Sequence, residues 1–178
     1  MTTVLFICIE NSCRSQMAEA IFNHLAPEDV RATSAGSRPA REVDPFALAV
    51  LKENGIKTDS LNPKLLTREL AHGADRIVTM GCPEACPTVG KPVEDWGIED
   101  PSGGDIEDYR KVRDVITLKV KQLLEASAAE KWTDCREAIS EVRGRRRFGA
   151  WETLRYRFAP ALSCFSVTDL LRSSSVRY

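Results

Sequence analysis

Residues Thr3 to Ala20, TVLFICIENSCRSQMAEA, constrain this chain more than any other stretch. Thr3 to Ile7 is an apolar, β-branched run without a breaker and predicts a buried strand. Gln16 to Leu25 carries helix formers, with Met17, Ala20, Ile21 and Leu25 at helical spacing on one face. Between them lies Cys8-Ile9-Glu10-Asn11-Ser12-Cys13-Arg14-Ser15, a cysteine and an arginine separated by five residues. A strand-to-helix loop of this length can turn its backbone N–H groups toward one point, where the first turn of the helix adds its own unpaired donors and the positive end of its dipole. Such a nest holds a tetrahedral oxyanion, Arg14 closes it with a two-pronged contact, and the same field favours the thiolate of Cys8. The alternative, a buried core cysteine, does not account for the arginine and serine that follow.

A chain of 178 residues, 43% hydrophobic and 29% charged, suits one globular domain with an appendage. No apolar run approaches the ~20 residues that span a bilayer. The N-terminus enters the first strand at once and leaves no room for a signal peptide, which predicts a cytoplasmic protein. Cys8, Cys13, Cys82, Cys86, Cys135 and Cys164 are too few and scattered for a disulfide scaffold, so catalytic or redox roles are expected. Charge is uneven. Residues 129–178 hold ten Lys/Arg against six Asp/Glu, and the preceding 128 hold fifteen against twenty.

Strands are expected at Val30–Ser34 (ended by Ala35-Gly36), Asp75–Met80 and Val93–Trp96. Asp44-Pro45 opens a helix whose apolar face is Phe46, Val50 and Leu51 and which Gly55 stops. Thr67 caps a short helix, and a long one runs from Asp105 to about Ala126, with Ile106, Tyr109, Val112, Ile116 and Leu123 facing inward. Alternating strands and helices predict an α/β fold: a parallel sheet with helices on both faces and ligands at the carboxyl ends of the strands. The loops of Cys8, Cys82 and Asp100 all fall there. From residue 129 on the pattern weakens into a basic extension, expected to be poorly ordered, with Arg145-Arg146-Arg147 and interleaved aromatics. A nucleic-acid or anionic-membrane contact is disfavoured there because no recognised motif is present.

Cys8 to Arg14, followed by Ser15, resembles the signature of the low-molecular-weight protein tyrosine phosphatase fold. Asn11 to Glu19 (NSCRSQMAE) is similar within that fold to the thioredoxin-coupled arsenate reductases. The likeness runs over roughly residues 2 to 126. It implies a four-stranded parallel sheet in the order 2-1-3-4, a domain over residues 1–128, and no cofactor or metal. It makes Cys8 the nucleophile, Arg14 the oxyanion clamp, Ile9, Glu10, Asn11, Ser12, Cys13, Arg14 and Ser15 the oxyanion-binding loop, and Asp100 the general acid. Asn11 is expected to shape the loop and Ser15 to donate to the Cys8 sulfur. Glu10 departs from the glycine frequent there, so its side chain is expected to point to solvent.

Two enzyme readings follow. Hydrolysing a phosphate monoester needs a thiolate and an acid. Reducing arsenate to arsenite takes two electrons, so a second thiol must meet Cys8, and Gly81-Cys82-Pro83-Glu84-Ala85-Cys86 supplies one. The resemblance implies a cascade in which Cys82 attacks the Cys8–arsenic adduct, arsenite leaves, and Cys86 moves the disulfide outward to Cys82–Cys86 for thioredoxin to reset. The three residues between Cys82 and Cys86 are fewer than in the familiar members, which leaves room for glutathione or mycothiol as reductant. Phosphate and sulfate are the expected analogues of arsenate. The phosphatase reading is weakened by Ser102-Gly103, where those enzymes carry a tyrosine pair, and by Gln16 in place of proline. Zinc at the cysteine pair would need further ligands, and His24 and His72 are the chain's only histidines. Cys13 is read as structural.

Overall fold

The computed structural model describes residues 2–81, 91 and 93–144, with side chains through residue 126. Its elements are β1 (Thr2–Cys8), α1 (Arg14–Leu25), β2 (Val30–Gly36), α2 (Pro45–Glu53), α3 (Arg68–Gly73), β3 (Arg76–Thr79), β4 (Val93–Asp95) and α4 (Ile106–Gly144). The four strands are all parallel, in the order β2-β1-β3-β4, flanked by helices. This is the low-molecular-weight phosphatase-like architecture that the sequence predicts. β1 lies at the centre, and Val4 through Ile7 have essentially no exposure. Phe6 packs against Phe22 of α1 and Trp96 beyond β4, at ring-centroid distances of 5.8 and 5.3 Å. The central strand thus ends at Cys8 with its walls already fixed on both sides.

Local signals set most boundaries. Asp44 accepts from the N–H groups of Phe46 and Ala47, with Pro45 in the first helical position. Gly55, at φ +69°, ends that segment in a conformation that costs glycine little. The Thr67 hydroxyl accepts from Leu70 N at 3.2 Å. Buried Tyr109, Val112, Ile116, Val120 and Leu123 form the inward stripe of α4.

Several expectations need correction. Ala35-Gly36 belongs to β2 rather than ending it. Leu25 and Phe46, expected on inward faces, are 40% and 46% exposed. Leu25 sits in the last turn of α1, beyond the cover of the sheet, and Phe46 lies in the first turn of α2, stacked edge-on against Tyr109. α4 runs to Gly144, well past Ala126, because alanines and charged helix formers continue without Gly or Pro until Gly144 itself.

The chain divides into two compact units, Met1–Glu125 and Ala126–Tyr178. Cys82, Cys86 and the extension from residue 145 onward, with its Arg145 cluster, lie outside the described residues. Among the described residues no helix is long and apolar enough to cross a membrane.

Candidate active site

The loop from Ile9 to Cys13 is held from behind. Arg38 N–H bonds to Ile9 O at 2.9 Å, Ala40 N–H to Glu10 O at 2.8 Å, and Asp44 N–H to Ser12 O at 2.9 Å. In a trans peptide the N–H of the next residue points opposite to the carbonyl. Turning these carbonyls outward therefore turns the N–H groups of Glu10, Asn11 and Cys13 inward. Asn11 N confirms the direction by donating to Cys8 Sγ at 3.1 Å. Gly36 lets the two layers close, since a Cβ there would meet Ile9 O at 2.5 Å and Asn11 Cβ at 2.9 Å. Glu10 is exposed, as its departure from glycine predicts.

Asn11 is the knot of the loop. It is fully buried and left-handed at φ +49°, a region asparagine tolerates better than most residues. Its Nδ2 donates to Ser15 Oγ and Ser34 Oγ, each at 2.8 Å, and its Oδ1 accepts from Lys64 N at 2.7 Å and Gln16 Nε2 at 3.1 Å. Because Ser15 Oγ accepts from Asn11, its own proton is left to face Cys8 Sγ, 2.9 Å away. By the same logic Ser34 donates to Glu19 Oε2 at 2.5 Å, and Lys64 Nζ closes the chain on Glu19 at 2.9 Å. A continuous hydrogen-bonded path thus runs from the sulfur of Cys8 to a mostly buried ion pair. Glu19 lies four residues after Ser15 and so on the same helical face.

Arg14 stands at the start of α1, 8% exposed. Its NH1 donates to Met80 O at 3.0 Å and Ile98 O at 2.8 Å, and NH2 makes a close ion pair with Asp100 Oδ2. Asp100 Oδ1 in turn accepts from Ser102 N and Oγ, which fixes the carboxylate at the mouth of the loop. Cys13, in the same loop as Cys8, is buried. Burial above all, helped by the charges of Asp44 and Asp100, pushes its thiol far above the ordinary 9.0, so it stays protonated and inert.

Cys8, Asn11, Arg14, Ser15 and Asp100 are therefore brought together, and Cys13 adjoins them as a buried thiol. Cys82 and Cys86 fall outside the described residues, which resume at Lys91 after Gly81. Sequence reasoning did not single out Ser34, Glu19 or Lys64, and it noted Gln16 only as a departure from the phosphatases and Gly36 only as a strand end. The signals for Glu19 were its four-residue offset from Ser15 and its place at the end of the NSCRSQMAE stretch; a charged residue in mid-helix otherwise reads as solvated surface.

The sequence model of the family described as "Low molecular weight phosphotyrosine protein phosphatase" matches residues 3–133. The chain belongs to that family. Among curated relatives, "Arsenate reductase 1" of Staphylococcus saprophyticus is 36% identical over 126 residues, covering 67% of this chain and 94% of that protein. The solved structure of the Corynebacterium glutamicum thioredoxin-dependent arsenate reductase matches with a TM-score of 0.64 at 34% identity, over 73% of this chain and 63% of that one, just under two-thirds of its length. The YwlE arginine phosphatase from Geobacillus stearothermophilus matches with a TM-score of 0.67 at 29% identity, over 75% of this chain and 97% of that one. The solved structures similar to this chain thus include both an arsenate reductase and an arginine phosphatase.

Proposed function

We propose that the protein reduces arsenate to arsenite. The observation that carries this reading is the Cys8 sulfur, which meets Asn11 N–H and the Ser15 hydroxyl at the floor of a loop whose amides face inward, in a chain 36% identical to an arsenate reductase. Inward N–H groups and the Arg14 guanidinium neutralise the arsenate as it enters. The Cys8 thiolate attacks arsenic, and Asp100 passes a proton to the oxygen that departs as water. Cys82 as thiolate then attacks Cys8 Sγ. The sulfur–arsenic bond breaks with its electron pair left on arsenic, giving arsenite and a Cys8–Cys82 disulfide. Cys86 attacks Cys82 and frees Cys8, and a dithiol of the thioredoxin type takes the oxidising equivalent from Cys82–Cys86.

A phosphatase reading has one specific observation in its favour, the likeness to the arginine phosphatase, and it would use Cys8, Arg14 and Asp100 without the second and third thiols. The two readings part on one comparison. Arsenite formation under thioredoxin recycling should vanish in Cys82→Ser and in Cys86→Ser, whereas hydrolysis of an aryl phosphate by the phosphatase route would survive both. Absence of arsenite with any thiol donor, beside steady hydrolysis, would overturn the reductase reading.

A further inference from the structure

Among the described residues, the backbone carbonyls of Met80 and Ile98 accept from Arg14, and the first belongs to a peptide unit gripped from its other end. Met80 O accepts from Arg14 NH1 at 3.0 Å, while the N–H of the same peptide, on Gly81, donates to Asp95 Oδ1 at 2.7 Å. A peptide plane is rigid, so fixing its N–H fixes the direction of its carbonyl. The Met80–Gly81 peptide thus stands between a carboxylate and a guanidinium, its dipole aligned with both charges, and both of its hydrogen bonds are of the stronger, charge-assisted kind.

Asp95 reaches further than this one plane. The same Oδ1 accepts from Thr79 Oγ1 at 2.8 Å and Gly97 N at 3.3 Å. Its donors therefore flank Met80 on both sides and adjoin Ile98, whose carbonyl also accepts from Arg14. Gly81 is left-handed, at φ +84°, and a Cβ there would stand 3.1 Å from Gly97 Cα, so the two turns are packed close where Asp95 joins them. The Thr79 hydroxyl foremost, with the N–H groups of Gly81 and Gly97 and the charge of Lys119, holds the Asp95 carboxyl below its ordinary range against the opposing effect of burial. At neutral pH the charge is in place.

We infer that Asp95 is a positioning residue for the oxyanion site, setting the orientation of Arg14 through the Met80–Gly81 peptide. The inference rests on the oxyanion reading of the Cys8 loop. No contact with the anion is required of Asp95. Its work is to hold the guanidinium corner in place before the anion arrives, which lowers the ordering cost of binding.

The test is calorimetric titration of the full-length reduced protein with inorganic phosphate, in wild type and three variants. Asp95→Ala leaves the peptide N–H without its partner and should weaken phosphate binding about tenfold, the effect of losing a charge-assisted bond. Asp95→Asn keeps an oxygen at the Oδ1 position and should recover most of that loss. Thr79→Val removes a bond to the same carboxylate but leaves the Gly81 N–H bond intact. It should stay within about twofold of wild type even where stability falls, since it does not act on the peptide that holds Arg14. Unchanged affinity in Asp95→Ala, or equal weakening in Asp95→Ala and Thr79→Val, would overturn the inference and reduce Asp95 to a structural staple. A wild type that binds no phosphate would overturn the oxyanion reading itself, and the inference with it.

Discussion

Cys8 and Cys13 show how far neighbouring residues of one type can diverge. Cys8 sits where Asn11 N–H and the Ser15 hydroxyl reach its sulfur, whereas Cys13 is buried near the carboxylates of Asp44 and Asp100. The Cys13 thiol is held up in the folded state, so the folded chain keeps a proton that the unfolded chain releases near pH 9. The associated stability is therefore complete below that pH and is lost as pH rises toward the folded value. Tyr109, raised above its ordinary 10.0 by burial and by its bond to Asp44, adds to the same alkaline loss at somewhat higher pH. Denaturant midpoints measured from pH 7 upward should be flat at first and then fall above about pH 9, and Cys13→Ala should soften that fall. A midpoint that rises in that window would contradict the assignment.

Much at this scale was legible. Cys8 and Arg14 announce themselves by residue type and spacing, Asn11 and Ser15 by their place in the loop, and Asp100 through the family resemblance. Glu19 and Lys64 did not, because their partnership spans forty-five residues, and Glu19 reaches the loop only through Ser34, which β2 brings beside it. Asp95 was illegible for a similar reason. A carboxylate in a short edge strand looks solvated until the turns after β3 and β4 are seen to meet on it.

At the scale of elements, the segment from Arg38 to Asp44 matters as much as any helix. It turns the loop carbonyls outward, and it ends on Asp44, which caps α2, bonds Ser12 through its own N–H, and accepts from the Tyr109 hydroxyl at 2.7 Å. One residue therefore joins the Cys8 loop, through its backbone, to α2 and α4, through its carboxylate. Asp44→Ala should cost about 2–4 kcal/mol in chemical denaturation, combining a lost cap with a buried hydroxyl left without its acceptor. Thr67→Ala, which loses only the cap of α3, should cost about 1 kcal/mol. Equal losses would contradict the central place given to Asp44. Sequence cues found both caps and nearly every strand. They understated α4, since helix stop signals depend on glycine or proline and none occurs before Gly144. They also overstated the inwardness of Leu25 and Phe46, because periodicity names a face without saying how far the neighbouring layer extends over it.

For the whole molecule, the parallel sheet gathers at one edge what the sequence scatters. The end of β1 supplies Cys8, the turns after β3 and β4 supply carbonyls that seat Arg14, and the loop before α4 supplies Asp100. Hydrolysis would need nothing more, and reduction needs electrons from further thiols. The most direct test of the account is a single turnover. Fully reduced protein, stripped of free thiols, is mixed with excess arsenate, and arsenite is quantified alongside disulfide mapping of the protein. About one equivalent of arsenite per chain is expected, with Cys82 joined to Cys86 and Cys8 again a free thiol. No arsenite, with all these thiols still reduced, would contradict it.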